Sequence, residues 1–279
     1  MNLPDNIHLP FFAYGIFKPG QLCFPRIQEF VSEYKDGYVK GYLKERDGIP
    51  LLIREGSSKI KGYLIHFHSG KEDEAYKRIV EIEPDEVYRW DKIQVDEKIQ
   101  ANVLLGKRDN RGASDLEHIE EWDGQSDPLF TSALEEVEDI LKNHSNFSWD
   151  YRNLFRLQMA YMLLWTAIER YAGLKYHLGK RVTDKVYKIA DEKSFADALK
   201  KYVKKNRGIY STVDLEQYTL NPANPQKSIK YYYQVRSNLV HRGKSVVIDF
   251  DIIHSSLEEL LAIFKDVLQD AFEEEGLKK

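Results

Sequence analysis

The spacing of apolar residues along this chain changes near Asn146, and the change predicts two parts with different architectures. Before it, short aromatic and β-branched runs alternate with glycines, which predicts strands and turns. After it, apolar residues recur every three or four positions from Leu154 to Tyr171 and from Ile253 to Val267, which predicts long helices. We therefore expect an α+β domain followed by an all-helical bundle.

The predicted elements divide the chain into a first domain at residues 1–105, an acidic linker and helix at 106–144, and a helical domain at 145–279. Between Asp115 and Asp139 there are ten acidic residues and no lysine or arginine, which predicts a solvated connector. Strands are predicted at 11–14, 38–43, 60–67 and 92–95. Helices are predicted at 27–34, 72–82, 133–141, 185–190, 194–204 and 228–240, and the long helix that contains Leu154 is expected to close near Gly173.

The composition is that of an ordinary globular protein, with 42% hydrophobic and 31% charged residues. No apolar run approaches the roughly 20 residues that span a bilayer, and the first ten residues lack a signal-peptide pattern. The single cysteine, Cys23, excludes an internal disulfide. His66 and His68 share a strand face but have no evident third ligand. We expect a cytoplasmic protein without membrane association, metal or cofactor.

The charge is distributed unevenly along the chain. The first 150 residues carry a formal charge of −10 and the remainder +6. The basic excess lies between Lys175 and Lys244, where 16 Lys and Arg residues accompany 6 acidic ones. Such a field attracts polyanions, so RNA is a candidate partner of the basic face. A solvated helix surface is the alternative interpretation.

A glycine-bracketed turn, Tyr14-Gly15-Ile16-Phe17-Lys18-Pro19-Gly20-Gln21, follows the first predicted strand. Consecutive amides in such a turn can point at a carboxylate. The turn is followed in order by Gly-Tyr-Leu at 41–43, Ile-Pro-Leu-Leu at 49–52, Ile-Lys-Gly-Tyr-Leu at 60–64, Ile-Val-Glu-Ile-Glu at 79–83 and Tyr-Arg at 88–89. This order, across residues 9–103, resembles the γ-glutamylcyclotransferase/AIG2-like family.

The resemblance implies a small β-barrel flanked by helices and a cofactor-free reaction. A general acid/base helps the α-amine of a γ-glutamyl group attack its own γ-carbonyl, releasing an amine and 5-oxoproline. By resemblance the acid/base is Glu83, and the substrate-binding residues are Tyr14, Gly15, Ile16, Phe17 and Tyr88.

The sequence departs from the family around this glutamate and at the turn. Phe17 replaces the usual leucine, Val80 stands where aspartate is frequent, and Pro84 follows Glu83 in place of glycine. The neighbouring acids Glu81, Asp85 and Glu86 leave the identity of the base open. A domain that keeps the fold and binds a metabolite without turnover is the alternative.

A second motif occupies the end of the last predicted short helix. Arg236 and His241 are about 140° apart around a helix, whereas Asn238 and His241 share a face. An Arg-x4-His pair here, after a long helix that contains Trp165-Thr166-Ala167-Ile168-Glu169, resembles the HEPN domain over residues 145–275. Many HEPN domains are metal-independent endoribonucleases that act as dimers.

The resemblance implies roles for four side chains. His241 would transfer protons at the RNA 2′-hydroxyl or the leaving oxygen, and Arg236 would neutralise phosphate charge. Asn238 and Glu169 would orient the pair.

The leading hypothesis is therefore a homodimeric HEPN endoribonuclease with a defence or toxin role, fused to a γ-glutamylcyclotransferase-like sensing or catalytic module. One alternative is a γ-glutamylamine cyclotransferase whose helical domain only dimerises it. The other alternative is a ligand-binding protein without catalysis.

Overall fold

The structure is a computed structural model in which the chain divides into two compact units, Met1–Gln125 and Ser126–Ala271. The first unit is rich in strands and the second in helices, in the predicted order. None of the helices in the described part of the chain combines the length and apolar character that crossing a membrane would require. The residues described are 1–107, 113–116, 119–144, 150–177, 181–212, 215–242 and 247–273.

A curled sheet that forms half of a barrel is the framework of the first unit. Its strands lie in the order β4-β5-β1-β3-β2-β6. Helix α1 lies between β3 and β4 in sequence. The elements are β1 (Phe11–Ala13), β2 (Val31–Arg46), β3 (Ile49–Phe67), α1 (Glu72–Ile82), β4 (Tyr88–Val95), β5 (Ile99–Gly106) and β6 (Ser114–Asp115).

The long β2–β3 hairpin produces the curl of the sheet. Its strands join through the two residues Asp47 and Gly48, which both have positive φ, as a tight hairpin turn requires. The register shifts between Gly41 and Tyr42, because Gly41 pairs with Ser58 and Tyr42 with Ile53, so that four residues of β3 lie between these partners. Extra residues in one strand bend it and increase its twist. The hairpin therefore bends across the core instead of extending as a flat ribbon.

Strand β1 occupies the middle of the sheet. It pairs antiparallel with β3 and parallel with β5, and its three residues are buried. Tyr76 of α1 packs edge-to-face against Phe11, Phe67 and Trp90, and its hydroxyl donates to the Leu9 carbonyl oxygen. The aromatic cluster fixes α1 on the sheet next to β1.

The predicted helix at 27–34 is wrong. The chain forms two short 3₁₀ turns, Phe24–Arg26 and Gln28–Phe30, and β2 begins at Val31. Residues 31–38 pair with β3 instead of closing helical hydrogen bonds. The long partner strand supplies these bonds, so tertiary pairing overrides the local helical spacing.

The second unit is mainly helical, but the expectation of an all-helical bundle is wrong in one respect. A β-hairpin forms from two runs whose aromatic and β-branched residues favour strands, and Arg207 pairs with Leu220 at its open end. The elements are α2 (Ser132–His144), α3 (Tyr151–Tyr176), α4 (Val182–Lys188), α5 (Lys193–Tyr202), β7 (Arg207–Tyr210), β8 (Gln217–Leu220), α6 (Pro225–Arg242) and α7 (Val247–Glu273).

Helix α3 is the centre of this unit and continues past Gly173, where the sequence predicted its end. It ends at Tyr176, followed by His177 in the left-handed region with φ of 41°. The flanking residues Ala172 and Leu174 are buried, so packing carries the helix through the glycine. The Tyr161 hydroxyl donates to the Tyr232 carbonyl oxygen at 2.9 Å and joins α3 to α6.

Two glycine substitutions should have opposite effects on stability. At Gly62, next to the end of β1, an added Cβ would lie 2.4 Å from the backbone oxygen of Ala13. We expect Gly62→Ala to lower the free energy of unfolding by about 1–3 kcal/mol through overpacking. At Gly173 no heavy atom lies within 4 Å, so Gly173→Ala should raise it by about 0.5–1 kcal/mol. Urea unfolding measures both, and effects of the same sign would contradict this description.

Candidate functional site

A small cavity in the first unit lies where β1 ends and α1 is followed by β4. Its volume is about 20 Å³, enough for roughly one water molecule. A larger ligand can enter only if the walls move apart. The cavity contains every first-domain residue that the sequence proposed for the site. It is lined by Phe11, Phe12, Ala13, Tyr14, Gly15, Ile16, Phe17, Pro50, Glu83, Tyr88 and Leu104.

The glycines at the two ends of the turn have different roles. Gly20 has φ of +80°, as the sequence predicts for a glycine-bracketed turn. Gly15 is not in the left-handed region. A glycine is needed at residue 15 because the backbone lies close to Pro50: a Cβ there would lie 2.8 Å from Cγ of Pro50. A side chain at residue 15 would push the turn away from the Pro50 wall of the cavity.

In the backbone of the turn, carbonyl oxygens accept hydrogen bonds, whereas several amide N–H groups have no acceptor among the described residues. The Gly15 oxygen accepts from the Lys18 amide at 3.0 Å, and the Ile16 oxygen accepts from the Cys23 amide at 2.9 Å. Among the described residues we find no acceptor for the amide N–H groups of Gly15, Ile16 and Phe17. Adjacent free amides at a cavity suit an anionic oxygen such as a carboxylate.

Glu83 is the buried acid of its neighbourhood. It directly follows α1, where Pro84 keeps its backbone extended. Its side chain is 7% exposed, whereas Glu81, Asp85 and Glu86 are exposed. Oε2 of Glu83 is buried without a hydrogen-bond partner in the described chain. Burial raises the pKa of Glu83 from 4.5 to about 8. The carboxyl is therefore mainly protonated at neutral pH and can both give and take a proton.

Tyr14 and Tyr88 form walls of the cavity, and their hydroxyl protons serve the fold. The Tyr14 hydroxyl donates to the Leu104 oxygen at 2.6 Å and accepts from the Leu52 amide at 3.1 Å. The Tyr88 hydroxyl donates to the Pro50 oxygen at 2.6 Å. Burial raises the pKa of both tyrosines, and a charge on Glu83 would raise it further. A ligand would meet mainly their rings.

Residues 121–124, which we call the clamp segment, hold the turn from outside the cavity. The Lys18 ammonium donates to Oε1 of Glu121 at 2.8 Å and to the Trp122 oxygen at 2.7 Å. Gln21 donates to Oδ1 of Asp123 and accepts from the Gly124 amide. The sequence interpretation missed this role because these residues lie within the acidic linker. The buried Trp122 was the available signal that part of the linker packs.

Arg236 and Glu169 meet in the second unit. Nη2 of Arg236 lies 3.3 Å from Oε1 of Glu169, so α6 and α3 bring together two of the predicted residues. The guanidinium carbon lies 5.5 Å from the ring centre of Tyr233. Burial raises the pKa of Glu169, and the charge of Arg236 partly offsets this. Nε of Arg236 is buried and lacks a hydrogen-bond partner within the described residues.

Asn238 makes its described hydrogen bonds with the β7–β8 hairpin and with Gln234, and none of them is to Arg236 or Glu169. Its Nδ2 donates to the Tyr210 oxygen at 2.9 Å, and its Oδ1 accepts from the Thr212 amide and the Gln234 side chain. Its described contacts therefore fix α6 to the hairpin. The side chain of His241, the other predicted catalytic residue of this unit, lies outside the described part of the structure.

Metal ligation has no candidate centre in the described ranges. No group of three or more His, Cys, Asp and Glu residues there is positioned to hold an ion.

Comparison with known proteins finds little similarity. No protein-family model matches the chain, and no curated protein matches it. Among solved structures, c4763, described as a uropathogenic E. coli-specific protein, has 14% identity and a TM-score of 0.32 over 39% of this chain and 87% of its own. The uncharacterized protein PH0828 from Pyrococcus horikoshii has 16% identity and a TM-score of 0.31 over 50% and 99%. These values are too low to support a fold or a function.

The buried carboxyl of Glu83 should make the stability of the first unit depend on pH. Below pH 4.5 this carboxyl is protonated in both the folded and unfolded states. Between pH 4.5 and about 8 it ionises only in the unfolded state. The free energy of unfolding of wild type should therefore fall, relative to that of Glu83→Gln, by about 1.4 kcal/mol per pH unit and by roughly 5 kcal/mol in all. Urea unfolding at pH 5, 6.5 and 8 measures the difference. Glu120→Gln, a substitution at an exposed acid, is the control. Parallel pH profiles of stability for wild type and Glu83→Gln would refute the raised pKa of Glu83.

Proposed function

We propose that the first unit cyclises γ-glutamyl groups, releasing an amine and 5-oxoproline. The observation that carries the proposal is the convergence of a buried carboxyl, with a pKa of about 8, and three open amides at one cavity. The proposal includes the finer fold assignment, in which the curled sheet belongs to the γ-glutamylcyclotransferase/AIG2-like barrel. It reverses the order of the two enzyme hypotheses that the sequence alone suggested.

In this mechanism the amides of Gly15, Ile16 and Phe17 bind the α-carboxylate of the γ-glutamyl group. Ionised Glu83 takes a proton from the α-ammonium, and the freed nitrogen lone pair attacks the γ-carbonyl carbon. As the new C–N bond forms, the bond to the leaving nitrogen breaks. Glu83 returns its proton to that nitrogen and then passes the second proton of the attacking nitrogen to it, so that the amine departs as ammonium and Glu83 is left ionised. No oxidant, metal or cofactor enters the balance.

The cavity walls favour this chemistry by excluding water. Phe11, Phe12 and Phe17 line the same cavity as Glu83 and make its walls largely apolar, and a desolvated acid with a pKa near 8 exchanges protons efficiently at neutral pH. Tyr14 and Tyr88 shape the space through their rings. Because the cavity is small, the reaction requires the walls to separate as the substrate enters.

Turnover should depend on Glu83 and rise with pH. We expect wild type to release 5-oxoproline from at least one of a panel of γ-glutamyl amines, with a rate that increases up to about pH 8 as Glu83 ionises. Glu83→Gln should release 5-oxoproline at least about 100-fold more slowly than wild type, because general acid–base catalysis contributes roughly that factor to the rate. Chromatographic detection of 5-oxoproline is the measurement.

Glu81→Gln is the matched control, because Glu81 is an exposed acid of α1 that pairs with Arg78. It should retain wild-type turnover. Loss of activity in Glu81→Gln with retention in Glu83→Gln would move the role to the other acid. If no γ-glutamyl amine reacts but one raises the melting temperature, the first unit is a binding module.

RNA cleavage by the second unit is a second candidate function, and one surface of α3 favours it. Tyr151, Phe155 and Met159 are at least half exposed and recur every four residues along the helix. Arg152 and Arg156 lie beside them, exposed and without an ion-pair partner among the described residues. Aromatic rings interleaved with guanidinium groups suit the stacked bases and phosphates of single-stranded RNA.

In this second candidate the helical unit is a HEPN-like domain that acts as a cytoplasmic homodimer. Arg236 would neutralise phosphate charge, with Glu169 fixing its guanidinium, and His241 would transfer protons. The basic excess between Lys175 and Lys244 would add long-range attraction for RNA.

The ribonuclease candidate predicts cleavage of single-stranded RNA in the presence of EDTA. Arg236→Ala should reduce the rate about 100-fold or more, because it removes a charge that stabilises the transition state. His241→Ala should have a comparable effect. Lys77→Ala, which removes an exposed cation of α1 in the first unit, outside the basic stretch, should leave the rate unchanged. Absence of cleavage in wild type, or equal cleavage by all variants, would eliminate this candidate.

A further inference from the structure

We propose that Lys18 and Glu121 are positioning residues that hold the carboxylate-binding amides in place. The proposal rests on the proposed γ-glutamyl cyclisation and extends the site by a segment about 100 residues away in sequence. Lys18 directly follows the three open amides, and its own amide donates to the Gly15 oxygen at 3.0 Å. Movement of residue 18 would therefore be transmitted to the turn.

Because the charge of Lys18 is buried, loss of its contact with Glu121 should have a large effect on the turn. Lys18 is 3% exposed, and its ammonium donates to Oε1 of Glu121 and to the Trp122 oxygen. A buried ammonium that loses its carboxylate partner is left with an uncompensated charge. The side chain would then turn toward water and draw the backbone of residue 18 with it.

Gln21 provides the second attachment of the clamp segment. Its Nε2 donates to Oδ1 of Asp123 at 3.0 Å, and its Oε1 accepts from the Gly124 amide at 3.1 Å. An added Cβ at Gly124 would lie 2.7 Å from that Oε1, so the backbone approaches closely only because residue 124 is glycine. The turn is thus held at both Lys18 and Gln21.

The position of the amides determines how well a carboxylate is bound. Hydrogen bonds weaken steeply when distance and angle depart from their optimum, so a loosened turn should bind the substrate less tightly. Lys18 itself does not reach the substrate in this proposal, because its ammonium is committed to the clamp segment. Its effect should therefore appear in KM, whereas proton transfer by Glu83 should be retained.

Steady-state kinetics with γ-glutamylmethylamide test the proposal. Glu121→Ala should raise KM about tenfold and leave kcat and its pH dependence near wild type. Glu121→Gln keeps an acceptor for the Lys18 ammonium and should restore most of the affinity. Glu120→Ala is the matched control, because the described contact of Glu120 is made by its backbone oxygen to the Lys61 amide. A lower kcat with unchanged KM would indicate lost folded enzyme and overturn the proposal, as would a lower KM.

Hydrogen exchange provides a readout that does not need turnover. The amides of Lys18 and Cys23, which donate to the Gly15 and Ile16 oxygens, report opening of the turn. They should exchange about tenfold faster in Glu121→Ala than in wild type or Glu120→Ala. Unchanged exchange would refute the clamp. Faster exchange in a protein that never releases 5-oxoproline would retain the clamp and refute the proposed function.

Discussion

The central position of β1 is the constraint on which the first unit depends. Three buried residues pair with β3 on one side and β5 on the other, so the chain leaves this strand inside the unit and not at its surface. The turn that follows must consequently satisfy its polar backbone in the interior. Carbonyl oxygens of the turn accept from amides of Lys18, Gln21 and Cys23, and the clamp segment adds bonds to the Lys18 and Gln21 side chains. No acceptor is found for the amides of residues 15–17 among the described residues.

Burial of Glu83 connects the stability of this unit with its proposed chemistry. A carboxyl that was solvated would ionise near pH 4.5 and would be a weak base at neutral pH. Desolvation raises its pKa into the useful range, at the cost of stability whenever the group ionises. The aromatic wall that favours proton transfer is thus the same surface that opposes the charged form. Glu81, Asp85 and Glu86 are exposed and lack this environment.

Local patterns in the sequence predicted much of the architecture, and the first-domain residues named by the family resemblance line one cavity. The helix at Glu72–Ile82, the strand at Phe11–Ala13 and the helical second part follow from apolar spacing. The contacts of Lys18 with Glu121 could not be predicted, because the partners are 103 positions apart and no local pattern relates them. For the same reason the 27–34 segment was misassigned: its partner strand, β3, decides its conformation.

The acidic stretch from Asp115 to Asp139 is better described as a series of attachments than as a solvated connector. Four of its carboxylates pair with specific cations of their own unit, and none of these four cations belongs to the basic stretch 175–244. The pairs of the acidic stretch are Asp115 with Lys44, Glu121 with Lys18, Asp127 with Arg170 and Glu138 with Lys265. The basic stretch is instead partly neutralised by other acids of the second unit, because Lys201 pairs with Asp266, Arg207 with Glu259 and Arg236 with Glu169.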